Sequence, residues 1–154
     1  MLELILGPMY SGKTTLLLKK QCGNTLIINH SFDTRTDGVK THDGVEVAAL
    51  KCKQISVKKN FDCVLIDEAQ FFDNLDGVEN LAPTVVVAGL SGDYMQRPFG
   101  KLLDLIPKAD KVTFLKARCL CGAPASFTKR ISDNKKLISV DAKYVPVCGG
   151  CLKL

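Results

Sequence analysis

Gly7-Pro8-Met9-Tyr10-Ser11-Gly12-Lys13-Thr14 directly follows the apolar run Leu2 to Leu6 and opens Lys13 to Gln21, a helix-compatible segment. The octapeptide satisfies G-x-x-x-x-G-K-[ST] in the strand-then-helix context that this pattern requires. From this chain's own Gly, Lys and Ser/Thr usage, a chance match somewhere has odds of roughly 1%, before the strand is demanded. The spacing has a physical reason. A glycine-rich turn aims backbone N–H groups inward, and the helix that follows directs its positive dipole end at the same place. Residues Gly7 to Thr14 are thus a candidate phosphate cradle. Lys13 reaches the β and γ phosphates of a bound nucleotide, and the Thr14 hydroxyl is placed to ligate Mg²⁺.

Outward from this loop, β-branched apolar runs of strand length recur at Thr25 to Asn29, Cys63 to Asp67, Thr84 to Leu90 and Lys111 to Leu115. Helix-compatible stretches lie at Asp73 to Leu81 and Gly100 to Ile106, and residues 31–44 read as a polar loop. Val64-Leu65-Ile66 and Val85-Val86-Val87-Ala88 are continuously apolar, as a parallel strand covered on both faces must be. The alternation predicts an α/β fold with a doubly covered parallel sheet.

Val64-Leu65-Ile66-Asp67-Glu68 ends a strand in two carboxylates. Consecutive strand residues face opposite ways, so the two acids can serve different partners. Beside a phosphate loop, the first is expected to hold Mg²⁺ and the second to act on the nucleophile. Gln70 is grouped with Asp67 and Glu68 among the nucleotide-binding residues. Ala69-Gln70-Phe71-Phe72 and Ser91 to Gly100 lie just past strand ends, where open α/β sheets bind ligands. Their aromatics could sandwich a base or simply cover the core.

The 154 residues predict one domain or one with a small appendage. Hydrophobic residues make up 46% and charged residues 24%, enough for a substantial core and against global disorder. The formal charge of +5 comes mostly from scattered lysines, a solvated surface with a modest pull on anionic small molecules. With no Trp and 6% aromatics, there is little material for the stacking platforms of single-strand nucleic-acid binders. The N-terminal MLELIL meets Gly7 and Pro8 too soon for a signal peptide or membrane span, so a soluble, cytoplasmic chain is expected. Seven cysteines in that setting point to metal rather than disulfides. Four of them fall after Ala117, at Cys119, Cys121, Cys148 and Cys151, and mark a small cysteine-clipped subdomain. Cys22, Cys52 and Cys63 have no partner spacing, and Cys63 is expected to be buried on its strand.

GPMYSGKT, HSFDTR followed by THDG, LIDEAQFF, GLSGDYMQRPFG, ASFTKR and KYVPVCGGC occur in one order along the chain. On these segments the sequence resembles the type II thymidine kinases over essentially its whole length. The resemblance implies a RecA-like P-loop core with a parallel sheet over residues 1–116. It adds a zinc-binding subdomain over 117–154, whose lasso loop closes on thymidine. The implied reaction moves the ATP γ-phosphoryl group, with Mg²⁺, to the 5′-hydroxyl and gives thymidine monophosphate. Glu68 aligns with the acid that accepts the hydroxyl proton, Asp67 with the acid near Mg²⁺, and Arg35 with a phosphate-facing arginine. Lys13 and Arg35 join Glu68 as catalytic residues, with Asp33 in the same network. Met9, Phe71, Leu90, Tyr94, Phe99 and Tyr144 align with residues that wall the base and sugar, and Thr128 with the lasso threonine that abuts the 5-methyl group. Cys119, Cys121, Cys148 and Cys151 align with a structural zinc set. Family members are commonly homotetramers inhibited by thymidine triphosphate.

The chain departs from the family in two places. The first cysteine pair is Cys119-Leu120-Cys121, with one intervening residue rather than two, and Ile138-Ser139-Val140-Asp141 stands where a Gly-Gly pair is usual. The short ends predict no regulatory tail. A competing reading takes Asp67-Glu68-Ala69-Gln70 as the DExx box of an ATPase acting on nucleic acid. That machine needs a second RecA-like domain and its own arginines, and this chain has only Arg35, Arg97, Arg118 and Arg130. A zinc-ribbon binding module leaves the phosphate loop unexplained and lacks clustered basic and aromatic residues. Neither nucleic acid nor membrane is an expected partner.

Overall fold

The computed structural model describes residues 1–32, 38–41, 44, 46–131 and 143–154, with the backbone alone at 46. Asp33 and Arg35, and the Ile138 to Asp141 departure, lie outside the described residues.

The order is β1 (Leu2–Gly7), α1 (Lys13–Leu18), β2 (Thr25–His30), β3 (Val39–Lys40), β4 (Glu46–Val47), β5 (Leu50–Cys52), β6 (Cys63–Asp67), β7 (Thr84–Leu90), β8 (Lys111–Phe114), β9 (Ala117–Arg118), β10 (Pro124–Ala125), β11 (Phe127–Arg130), β12 (Tyr144–Val147) and α2 (Gly149–Leu152). Six strands form one sheet in the order β5-β2-β6-β7-β1-β8, and every pairing in it is parallel. The α/β expectation therefore holds.

Both faces of the sheet are covered, which explains the unbroken apolar strands. Leu4, Leu6, Val64, Ile66, Val85 and Val87 pack on one side against Phe72, Leu75, Leu102 and Leu105. Ile5, Leu65, Val86 and Ala88 pack on the other against Leu17 of α1. Cys63 is fully buried on β6, as expected. Burial, followed by a hydrogen bond with Cys22, pushes its thiol up to about 11, so it acts as a core residue rather than a nucleophile.

Three helical expectations are corrected. Lys13 to Gln21 yields only Lys13–Leu18, since the next amides, on Lys19 and Lys20, bond three residues back. Asp73 to Leu81 is mostly irregular, with a 3₁₀ turn at Val78–Asn80. There Asn74 donates to the Ile55 carbonyl and accepts from its N–H, tying the backbone to a neighbouring loop, and Gly77 interrupts the remainder. Gly100 to Ile106 becomes a 3₁₀ helix, Leu102–Lys108, with Pro107 in its last turn. The polar loop at 31–44 also contains β3, paired antiparallel with β4.

A third cluster joins Cys119, Ala125 and Val147 near the C-terminus, with β9 paired to β10 and β11 to β12. Among the described residues, no helix is long and apolar enough to cross a membrane.

Candidate active site

The cradle stands at the C-terminal edge of the sheet, with Gly7 of β1 level with Leu90 of β7. Gly12 precedes α1 at φ +83, a left-handed conformation that favours glycine, and so lets the loop turn into the helix. Tyr10 is also left-handed and half-exposed. Lys13 is buried, and its Nζ donates to the Pro8 carbonyl at 2.7 Å, with Ser11 Oγ at 3.5 Å. The ammonium therefore lies inside the curl of the loop. Ser11 Oγ also donates to Pro8 O at 2.8 Å.

Thr14 Oγ1 donates to Asp67 Oδ2 at 3.0 Å and thereby joins the loop to the end of β6. Asp67 is buried. Burial and then the neighbouring Glu68 charge push its carboxyl up, while the Thr14 hydroxyl and Lys13 pull it back. A cation at this point would hold it ionised. The hydroxyl and carboxylate oxygen form the donor set that Mg²⁺ prefers beside phosphates.

Glu68 has φ 51, an uncommon left-handed backbone for a side chain of this size. Its Oε2 accepts from Gln70 Nε2 at 2.6 Å, and Gln70 Oε1 accepts the Leu90 N–H at 3.0 Å. Gln70 thus bridges two strand ends.

Phe71 and Phe99 meet edge to face, 5.6 Å between centroids. Sequence reasoning did not include His30 and Phe32, which complete this wall: His30 lies 5.7 Å from Phe71 and 4.7 Å from Phe72, and Phe32 lies 5.5 Å from Phe71. Burial lowers the His30 pKa, and its Nδ1 accepts the Phe32 N–H at 3.0 Å, so the ring is a neutral packing group. Its place at the end of β2 was the available signal.

Tyr94 projects from the turn after β7. Buried Asp93 clamps that turn, its Oδ1 accepting the Met95 N–H at 2.8 Å and the Arg97 N–H at 3.0 Å. Arg97 Nε lies 3.8 Å from Asp93, but its side chain is 62% exposed, so the ion pair contributes little. Asp93→Ala is expected to cost about 1–3 kcal/mol in urea unfolding, and Asp93→Asn, which keeps a carbonyl acceptor, to recover most of it.

The C-terminal strands reach the same edge. Thr128 of β11 is buried and accepts the Met9 N–H at 3.1 Å. Arg130 lies over Tyr94, 3.9 Å from the ring centroid, and donates to the Tyr144 hydroxyl at 2.5 Å. ASFTKR contains this arginine, but its chemistry became legible only from the stack. The structure thus groups Met9 with Thr128, Phe71 with Phe99, and Tyr94 with Tyr144, while Leu90 meets Gln70 through its backbone.

Just past β9 and β12, the donor atoms of Cys119, Cys121, Cys148 and Cys151 lie within 4.8 Å of one another. Zinc–sulfur bonds of about 2.3 Å in a tetrahedron require sulfurs about 3.8 Å apart, and Cys121 and Cys148 are at 3.7 Å. The one-residue spacing of Cys119-Leu120-Cys121 therefore does not prevent convergence: the Cys119 carbonyl accepts the Gly122 N–H and completes a tight turn. Backbone groups of Cys121 and Cys148 hold the Cys119 thiol down at about 6, whereas the three neighbouring thiols push Cys151 up to about 12. Four thiolates so close need a cation, so the cluster could hold a metal and is consistent with structural zinc.

A sequence model of the family described as Thymidine kinase matches residues 1–152. The chain is similar to a Thymidine kinase of Oryza sativa subsp. japonica, at 40% identity over 96% of this chain and 64% of the relative. It is also similar to Thymidine kinase 1 of Dictyostelium discoideum, at 37% identity over 97% and 76%. Thymidine kinase of Yaba monkey tumor virus is 38% identical over 97% of this chain and 93% of its own. The chain thus spans less than two thirds of the rice relative and nearly all of the viral one.

Proposed function

Because this chain belongs to the thymidine kinase family, we propose that it transfers the γ-phosphoryl group of ATP to the 5′-hydroxyl of thymidine. The observation that carries this reading is the junction of phosphate loop and carboxylates, in which Thr14 bonds to Asp67 and Glu68 follows beside the aromatic wall. In the reaction, the bond from the γ-phosphorus to its bridging oxygen breaks and a bond from O5′ to phosphorus forms. The hydroxyl proton passes to the Glu68 carboxylate, and ADP leaves.

The residues divide the work. Backbone N–H groups of the Gly7–Thr14 loop and the Lys13 ammonium cradle the triphosphate, and Thr14 and Asp67 hold Mg²⁺, which neutralises charge on the transferring group. Arg35 and Asp33 belong to the same network. Met9, Phe71, Leu90, Tyr94, Phe99, Thr128 and Tyr144 wall the nucleoside, and lasso backbone groups read the base edge, which penalises cytosine by facing donor with donor. Cys119, Cys121, Cys148 and Cys151 hold structural zinc. We place the boundary between the kinase core and the zinc and lasso subdomain at 116/117, and assign a cytoplasmic homotetramer that does not act on nucleic acid.

The test compares product formation with thymidine, deoxycytidine and single-stranded DNA. Thymidine monophosphate is expected with Mg²⁺ and ATP, and less than about one hundredth of that rate with deoxycytidine, since a site built to hydrogen-bond one edge rejects its mismatch strongly. Hydrolysis stimulated by DNA without nucleoside phosphorylation would overturn the assignment.

A further inference from the structure

Gln70 is 3% exposed and fastened at both ends of its amide. Its partners determine the amide's orientation: the Leu90 N–H only donates and the Glu68 carboxylate accepts, so Oε1 faces β7 and the NH₂ faces Glu68. The backbone around it is shaped to admit it. A β-carbon on Gly89 would lie 2.5 Å from Leu102 Cδ2 and 2.7 Å from Gln70 Oε1, and one on Gly100, where φ is +62, would overlap the Gln70 backbone carbonyl oxygen. Two glycines from separate segments, one on β7 and one in Pro98-Phe99-Gly100, thus leave the space in which Gln70 sits.

Glu68 needs such support. Its left-handed backbone belongs to the sparsely populated conformations that persist only when surroundings over-determine them. The side chain on that backbone is oriented by a rigid amide 2.6 Å from Oε2, whose other end is anchored to a strand of the central sheet. From this geometry we infer that Gln70 is a positioning residue: it holds the Glu68 carboxylate in line for the acceptor hydroxyl and does not itself bind phosphate. The inference rests on Glu68 being the proton acceptor. It replaces the grouping of Gln70 with the nucleotide ligands, and it gives Gly89 and Gly100 a task as walls of the Gln70 seat.

The test is a double-mutant cycle in the full-length protein with ATP, Mg²⁺ and thymidine. Gln70→Glu keeps the side chain's size and an acceptor for the Leu90 N–H, but sets a second carboxylate where the donor faced Glu68, so it repels the base as well as releasing it. Gln70→Met keeps the bulk and removes both hydrogen bonds. In the otherwise native chain each variant is expected to lower kcat about 10- to 100-fold through a misplaced base. KM for both substrates and the directly measured ATP Kd should change less than about threefold, since uniform binding is untouched. In a Glu68→Ala background the same Gln70 substitutions should change single-turnover rates less than about twofold, because a residue acting only through Glu68 has nothing left to act on. Equal losses in both backgrounds, or a selective rise in ATP Kd, would overturn the positioning role while leaving Glu68 as the base. Near-native turnover in Glu68→Ala alone would overturn the base assignment and the positioning role with it. Should Gln70→Met fail to fold, Gln70→Asn, which keeps an amide but withdraws it from Glu68 without adding charge, takes its place. Should both fail, Gly89→Ala, which presses on Leu102 Cδ2 and on Gln70 Oε1, must lower kcat in the native but not in the Glu68→Ala background, and without raising ATP Kd, or the inference falls.

Discussion

Glu68→Gln is expected to lower kcat about 10²- to 10⁴-fold, the range contributed by a positioned general base. ATP affinity should stay within about threefold, because in the proposed reading the loop of residues 7–14 holds most of the triphosphate and Glu68 acts on the acceptor. The amide keeps the size of the carboxylate, so the variant separates proton acceptance from packing. It should also unfold with the native midpoint, since Glu68 is only partly buried and β6 is anchored by Val64, Leu65 and Ile66, all fully buried. Steady-state kinetics, equilibrium binding of ATP and urea unfolding check the three statements. Full activity in Glu68→Gln would show that the proton leaves the 5′-hydroxyl by another route.

The second large effect concerns the cysteine cluster. Among the described residues around it, only Cys119, Ala125 and Val147 form a fully buried apolar centre, too little to fold this segment unaided. Structural zinc in small domains is worth about 10–16 kcal/mol of apparent binding energy at neutral pH, and that binding energy is folding energy. Cys148→Ser, or chelation of the native protein, is therefore expected to melt residues 117–154. Thr128, Arg130 and Tyr144 are then lost from the site, and kcat/KM for thymidine falls at least about 100-fold. ATP binding should survive, because the six-stranded sheet has its own core on both faces. Metal analysis should find one zinc per chain, and limited proteolysis should cut the metal-free protein first beyond Ala117. Active protein without zinc would refute the assignment.

Each effect comes from a feature that was legible to a different degree. Strands β1, β2, β6, β7 and β8 could be read because each is a short run rich in apolar or β-branched residues, a local property of the chain. β5 could not: Leu50-Lys51-Cys52 carries no pattern, and its pairing with β2 makes it a strand. The segment Asp73 to Leu81 has helical spacing, but Asn74 found partners on Ile55, 19 residues away, and tertiary hydrogen bonds outweighed periodicity. The aromatic wall was half legible, since Phe71 and Phe99 follow strand ends, whereas His30 and Phe32 join it through the packing of β2 against the turn after β6.

By itself, the sequence determined the phosphate loop, the paired acids, the parallel sheet and the four late cysteines. Their chemistry depends on spacings within a few residues, and short spacings survive in any fold that forms. Tertiary structure alone decided that Cys-x-Cys can close on Cys-x-x-Cys, that Thr128 reaches Met9 across 119 residues, and that Gln70 spans from Glu68 to Leu90. Apart from Gln70 to Glu68, these contacts join residues far apart in the chain. Whether they meet depends on sheet order and on where side chains are missing, as at Gly89 and Gly100, so no local pattern could announce them.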